Sequence, residues 1–367
     1  MSGPRLTPLA ESLPATVPFV GPETQERAAG RAFRARLGAN ELTFGPSPRA
    51  IAAMADAARD AWMYPDPECH DLKHALAAHH GIDPHHIVIG SGIDGLLGST
   101  VRLTVGPGDA VVTSDGAYPT FNYHVTGFGG RLHKVPYRED REDLDALIET
   151  AYAVDAKLIY LSNPDNPMGS WFSPEEIEHF IGRIPDGTLL LLDEAYAECA
   201  DIATAPPLVP DHPNVLRLRT FSKAYGMAGA RVGYAIGAGP LIAAYDKVRD
   251  HFGVSRISQA GAIAALADTE HLKLTVNNIA QSVEAISEIG HRNGLIPLRT
   301  ATNFVTLDCG RDGDHARALL VELGRRGIFV RMPGVAPLDR CIRVTCGPAP
   351  AMEILAEALP DALRAIL

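Results

Sequence analysis

Lys223 stands in the run TFSKAYGMAGARVGYAIG, with hydroxyls at Thr220 and Ser222 and a guanidinium at Arg231. A lysine amine condenses with a carbonyl only after losing its proton, so a reactive one needs neighbours that depress its pKa. Two hydroxyls and a guanidinium are also the donors that hold a phosphate dianion. Together they suit a small aldehyde that carries a phosphate. An exposed loop lysine has the same two letters, Ser-Lys, so the decision rests on four other segments.

Gly90-Ser-Gly-Ile-Asp-Gly95 follows an apolar run and opens a helical pattern. Its backbone N–H groups and helix start form an anion cradle. The same letters match a dinucleotide fingerprint, with Asp115 where a ribose-binding acid belongs, so a nicotinamide-dependent dehydrogenase is a rival reading. That rival leaves Lys223, Arg231 and Asn166 without work. Asn166, in SNPDNPMG, ends a strand at the sheet edge where ligands gather, placed to donate its amide to a cofactor oxygen. Asp193 ends the strand LLLLD; a carboxylate so placed needs a cation, and a protonated pyridine nitrogen is one. Tyr196 is spaced to donate to a phenolate oxygen on that ring. Phe121, in PTF, is an aromatic available to lie flat against a planar cofactor, and equally a plain core residue. Pyridoxal phosphate is the common aldehyde that uses all of these parts.

Elements must carry these residues to one place. HIVIG, GDAVVTSD, RLHKVPY, AKLIYLSN, TLLLLDEAY, NVLRLRTFS and RVGYAIG alternate with helical patterns, and several are apolar on both faces. That predicts an α/β fold, a three-layer α/β/α domain on a mostly parallel sheet. Ser173-Pro174-Glu175-Glu176 reads as a helix start. Residues 258–292 form one long helical pattern, followed by strand, helix, two strands and helix, a smaller α+β unit. The expected division is an arm and part of the small domain at 1–45, a large domain at 46–257, and a linking helix with the small domain at 258–367.

The chain has 367 residues, a net charge of −11 and 46% hydrophobic residues, which suits a two-domain globular protein. The acidic balance argues against nucleic acid or an anionic membrane as the main partner. No continuous apolar stretch reads as a secretion signal or a bilayer span, so a cytoplasmic protein is expected. Five scattered cysteines suggest no disulfide framework and no zinc knuckle. The adjacent pairs His79-His80 and His85-His86 lack HExxH spacing and receive no metal role.

Assembled, these motifs resemble the fold-type I pyridoxal-phosphate aminotransferases, and most of all the histidinol-phosphate aminotransferases, over nearly the whole chain. The resemblance implies Lys223 as the lysine that condenses with the cofactor and Asp193 as partner of its ring nitrogen. Asn166 and Tyr196 fall at the phenolic oxygen and Phe121 on the ring face. Gly92, Ile93, Asp94, Thr220, Ser222 and Arg231 fall at the phosphate. Tyr64, in YPDPE, matches a tyrosine that reaches the phosphate of the neighbouring subunit, implying a homodimer with shared sites. Arg343 matches a clamp for a substrate carboxylate, Arg331 a group that helps bind a second anion, and Asn40 and Phe44 the substrate-side loop. The implied reaction exchanges an amino group between an amine such as histidinol phosphate and 2-oxoglutarate. An aromatic amino acid substrate, or decarboxylation on the same scaffold, are alternatives. The segment Asn40-Glu41-Leu42-Thr43-Phe44 departs from the family's usual NENP, and Phe44 and Phe121 stand where tyrosines are frequent. These departures lie near the substrate and leave its identity open.

Overall fold

A computed structural model describes residues 3–15 and 20–366. Its central sheet has seven strands: β1 (Ile87–Gly90), β2 (Ala110–Ser114), β3 (Arg131–Val135), β4 (Leu158–Ser162), β5 (Leu189–Asp193), β6 (Val215–Thr220) and β7 (Gly233–Ile236). These are the seven runs expected from sequence. Their spatial order is β1-β7-β6-β5-β4-β2-β3. Strand β7 runs antiparallel to both neighbours, and the other pairs are parallel.

Every residue of β2, β4 and β5 is buried, because helices cover both faces and a strand's side chains alternate between them. Leu189 and Leu191 pack toward helices Gly92–Thr104 and Pro119–Gly127. Leu190 and Leu192 pack toward helices Leu144–Val154 and Pro174–Ile181. Farther along that second face, Ile87, Ile89 and Tyr234 meet helices Pro48–Ala57, His70–His80 and Arg256–Ala267. The helix start read at Ser173 is a full capping box: Ser173 Oγ accepts from the Glu176 amide, and Glu176 Oε2 accepts from the Ser173 amide.

A second core is built on the antiparallel strands Ile296–Pro297, Phe304–Asp308 and Cys341–Thr345, with helices Thr269–Arg292, Gly313–Arg325 and Ala349–Arg364. The N-terminal segment joins it, with Ala35–Arg36 pairing Ile328–Phe329 and with Leu37 and Leu42 buried there. The pattern expected as one helix over 258–292 is two. Asp268 ends Arg256–Ala267 and caps Thr269–Arg292, its side chain accepting from the His271 amide. The first of these helices buries Ala262 and Leu266 on the large sheet, and the second buries Ile279 and Ile286 in the small core. All five cysteines are free and buried. No helix among the described residues is long and apolar enough to cross a membrane.

Candidate active site

The chain leaves β1, β4, β5 and β6 at one edge of the sheet, delivering Gly92, Asn166, Asp193 and Lys223 to the carboxyl ends of parallel strands. The small core closes over that edge.

Lys223 is partly buried, and its Nζ donates to the Asn40 carbonyl at 3.2 Å. Burial, with the Arg343 charge adding to it, pushes its pKa down to about 8. Asn40 has a left-handed backbone, φ 55°, and is a hub. Its amide side chain donates to Tyr196 Oη at 2.9 Å, and its Oδ1 accepts from Thr345 Oγ1 at 3.0 Å. Because Tyr196 Oη accepts there, its own proton remains available to another acceptor.

Asp193 is 4% exposed. It accepts from Tyr160 Oη at 2.7 Å and from the Ala195 amide at 3.0 Å, and no cation lies within ion-pairing distance among the described residues. Burial raises its pKa to about 6, against those two hydrogen bonds and the nearby Lys223 charge. Tyr160 carries no sequence signal of this role; its place in the strand LIYLS reads as core, and only the β4–β5 pairing brings its hydroxyl to the acid.

An anion cup forms beside Lys223. Thr220 Oγ1 donates to Ser222 Oγ at 2.9 Å, Arg231 Nη1 reaches Ser222 Oγ at 3.3 Å, and Nη2 reaches the Ser91 carbonyl at 3.4 Å. The helix Gly92–Thr104 opens into this cup with Gly92 at φ +76°. A Cβ on Gly92 would stand 2.4 Å from Arg231 Nη2, so the close approach depends on glycine. Ile93 is buried in the large core. Asp94 turns its carboxylate to His124 Nε2 at 3.0 Å, so what it offers an anion is backbone. Asp115, the acid of the dinucleotide reading, is instead paired with Lys134 at 3.1 Å.

Arg343 is held beside Asn166, donating from Nη1 to Asn166 Oδ1 and from Nη2 to the Gly38 carbonyl at 3.1 Å. The Asn166 amide nitrogen is thereby turned away and left as a donor. Arg343 has no carboxylate within 4 Å among the described residues, its Nε is buried without a hydrogen-bond partner, and burial lowers its pKa. Arg331 pairs with it across an antiparallel bridge and is pushed down to about 10 by burial and by the Arg343 charge.

Two expected residues stand elsewhere, and one is incomplete in a single chain. Phe121 has no exposed surface: its ring stacks on Tyr160, centroids 4.6 Å apart and 16° from parallel, so it packs behind Asp193's partner rather than against a ligand. Tyr118, three residues earlier in the same motif, lies in the field of Asp94, Asp193 and Arg231, and burial pushes its hydroxyl up. Phe44 packs on the small core and lines a groove of about 520 Å³ with Ser282, Ile289 and Met352, away from Lys223. Tyr64 is 78% exposed, its ring tilted against Phe252 with centroids 4.9 Å apart, and outside the cup of its own chain.

A buried amine of depressed pKa, a buried acid without a cation and a cup of hydroxyls, guanidinium and amides fit a phosphate-bearing pyridine aldehyde. The comparisons agree with that chemistry. The model of the aminotransferase class I and II family matches residues 35–359. The chain is similar to a histidinol-phosphate aminotransferase of Moorella thermoacetica, 32% identical over 93% of this chain and 88% of that one. It is also similar to histidinol-phosphate aminotransferase 2 of Carboxydothermus hydrogenoformans, 34% identical over 92% and 93%. Among solved structures, histidinol-phosphate aminotransferase from Sinorhizobium meliloti in complex with pyridoxal-5'-phosphate matches with a TM-score of 0.97 and 54% identity, covering 100% of this chain and 99% of that one. The chain therefore belongs to the class I and II aminotransferases, a pyridoxal-phosphate-dependent family of amino-group transferases.

Proposed function

We propose that the chain holds pyridoxal phosphate at Lys223 and transfers an amino group between histidinol phosphate, the substrate in its relatives' names, and 2-oxoglutarate, as a cytoplasmic homodimer. When bound, the cofactor supplies an aldehyde that condenses with amines and a ring that takes up charge from the adjacent carbon. Lys223, with its pKa near 8, is neutral often enough near neutral pH to act as nucleophile and then to move the proton at the substrate's Cα. Asp193, ionised above about pH 6 and oriented by Tyr160, would hold a proton on the ring nitrogen of the bound cofactor. Asn166 and Tyr196 each keep one donor for the phenolic oxygen. Thr220, Ser222, Arg231 and the amides of Gly92, Ile93 and Asp94 take the phosphate. Tyr118, and not the fully buried Phe121, would be the aromatic beside the ring.

The observation that carries the substrate reading is Arg343. A part-buried guanidinium with no carboxylate within 4 Å among the described residues, and with a buried Nε lacking a hydrogen-bond partner, is costly unless an anion arrives, and Arg331 beside it suits a second anionic group. The dimer reading is supported by the exposed aromatics Tyr64 and Phe252, 78% and 50% accessible with ring centroids 4.9 Å apart, and by Trp62, two residues from Tyr64 in the chain and 81% accessible.

The test mixes loaded protein with single amines, without an oxo acid, and follows the visible absorbance. Histidinol phosphate should convert the chromophore fastest, ahead of phenylalanine, tyrosine and phosphothreonine. Histidinol phosphate left inert while an aromatic amino acid reacts would overturn the assignment. Arg343→Ala should raise KM for 2-oxoglutarate by about 100-fold or more, with cofactor retained.

A further inference from the structure

The pair His85-His86 has no metal spacing in sequence, yet folding brings a third ligand to it from 125 residues away. We propose that the chain carries a second ligand site, for a divalent cation of the zinc class, formed by His85, His86 and Asp211 at the sheet edge opposite Lys223.

A ring nitrogen of each histidine and a carboxylate oxygen of Asp211 all lie within 4.8 Å of one another. His86 is buried, and its Nδ1 stands 3.0 Å from the Gly237 carbonyl, which only accepts. In the neutral imidazole the proton is therefore on Nδ1 and the lone pair on Nε2. That Nε2 faces Asp211 Oδ1 at 3.7 Å, too far for a hydrogen bond, so a lone pair and a carboxylate confront each other across a gap. His85 likewise has one ring nitrogen engaged, Nδ1 standing 2.7 Å from Asp83 Oδ1. An imidazole whose other nitrogen is committed to a carbonyl or a carboxylate is the arrangement that orients a metal-binding histidine. Zinc bonds of about 2.0–2.2 Å in a tetrahedron place ligand atoms roughly 3.4 Å apart. Asp211, with its side chain 84% exposed, can close the remaining distance at little cost.

Adjacent residues can share one ion here because Pro84–His86 is a single 3-10 turn that brings their ring centroids to 3.8 Å. Room for His85 comes from Gly239, where a Cβ would stand 2.7 Å from His85 Cδ2. The histidines precede β1, Gly237 follows β7 and Asp211 precedes β6, and these three strands are neighbours in the sheet. An ion would clip them together and anchor the connection from β5 to β6. With no catalytic group at this edge, its effect is on stability and leaves turnover alone.

The experiment uses tag-free, full-length, cofactor-loaded protein stripped with a chelator, titrated with ZnCl2 by calorimetry and followed by thermal unfolding, with MgCl2 as control. One zinc per chain should bind and raise Tm, magnesium should do neither, and kcat should not change. Asp211→Asn and His85→Gln, both at exposed positions, should each weaken zinc binding by more than about tenfold, the scale at which even outer-sphere changes act. Absence of saturable binding overturns the proposal, as does wild-type affinity in both variants, which would place the zinc on another histidine pair such as His79-His80.

Discussion

At the residue scale, the candidate site gathers groups made unlike their solution selves by burial. Lys223 titrates near 8 rather than 10.5, because an ammonium is poorly solvated there and Arg343 repels it. Below that pH most of the amine is protonated and only its minor neutral fraction reacts, so capture of pyridoxal phosphate by cofactor-free protein should accelerate with pH, with a midpoint near 8. A rate still climbing steeply at pH 10 would refute the depressed amine. Lys223→Ala should give no visible chromophore and no borohydride-fixed adduct. Asp193 shows the opposite effect. Its carboxyl, raised from 3.8 to about 6, binds its proton more tightly folded than unfolded, a difference on the order of 3 kcal/mol. Stability from this group is present below its unfolded value and lost as pH rises through about 6. Asp193→Asn should therefore inactivate the enzyme, yet raise the Tm of the cofactor-free form relative to wild type as pH goes from 4 to 7. A Tm gap that does not widen over that range would show that Asp193 is not destabilising when ionised.

At the element scale, the strand-to-helix turn at Gly92 joins backbone geometry to anion binding. Gly92→Ala places a Cβ on a left-handed residue, at a strain on the order of 1 kcal/mol, and forces Arg231 away from the cup. Cofactor dissociation should rise by at least about tenfold while far-UV circular dichroism stays unchanged; unaltered affinity would remove this turn from the phosphate site. The strands and the Ser173 cap were legible because alternation and capping residues are local signals. Asp268 carries the same kind of signal, an acid before Thr269 and Glu270, but an uninterrupted helical pattern on both sides hid it. Since the helices it separates pack in different cores, we propose that the small domain begins at Asp268 and not at 258.

At the scale of the whole molecule, a single chain leaves Tyr64 pointing to solvent beside Phe252, with Trp62, two residues away in the chain, exposed as well. If a second copy covers this face, sedimentation should find a dimer, and Trp62→Asp should yield monomers that bind cofactor weakly. Tyr64→Phe should keep the dimer and weaken cofactor binding alone. A fully active monomer would sink the shared-site reading.

Sequence by itself determined the sheet, and it singled out Lys223 and the donors near it as candidates, because those depend on periodicity and on motifs whose parts lie within a few residues of each other. Tertiary structure alone decided which partners those groups meet. Phe121 and Tyr118 are three residues apart in one motif, and only the packing of Phe121 on Tyr160 tells which one is core. Phe44 packs with Leu42 on the small core, a placement that its motif does not encode. Asp211 reached His86 because β1, β7 and β6 are neighbours in space though distant in the chain. Contacts of that kind arise from strand order, which no local pattern of residues encodes.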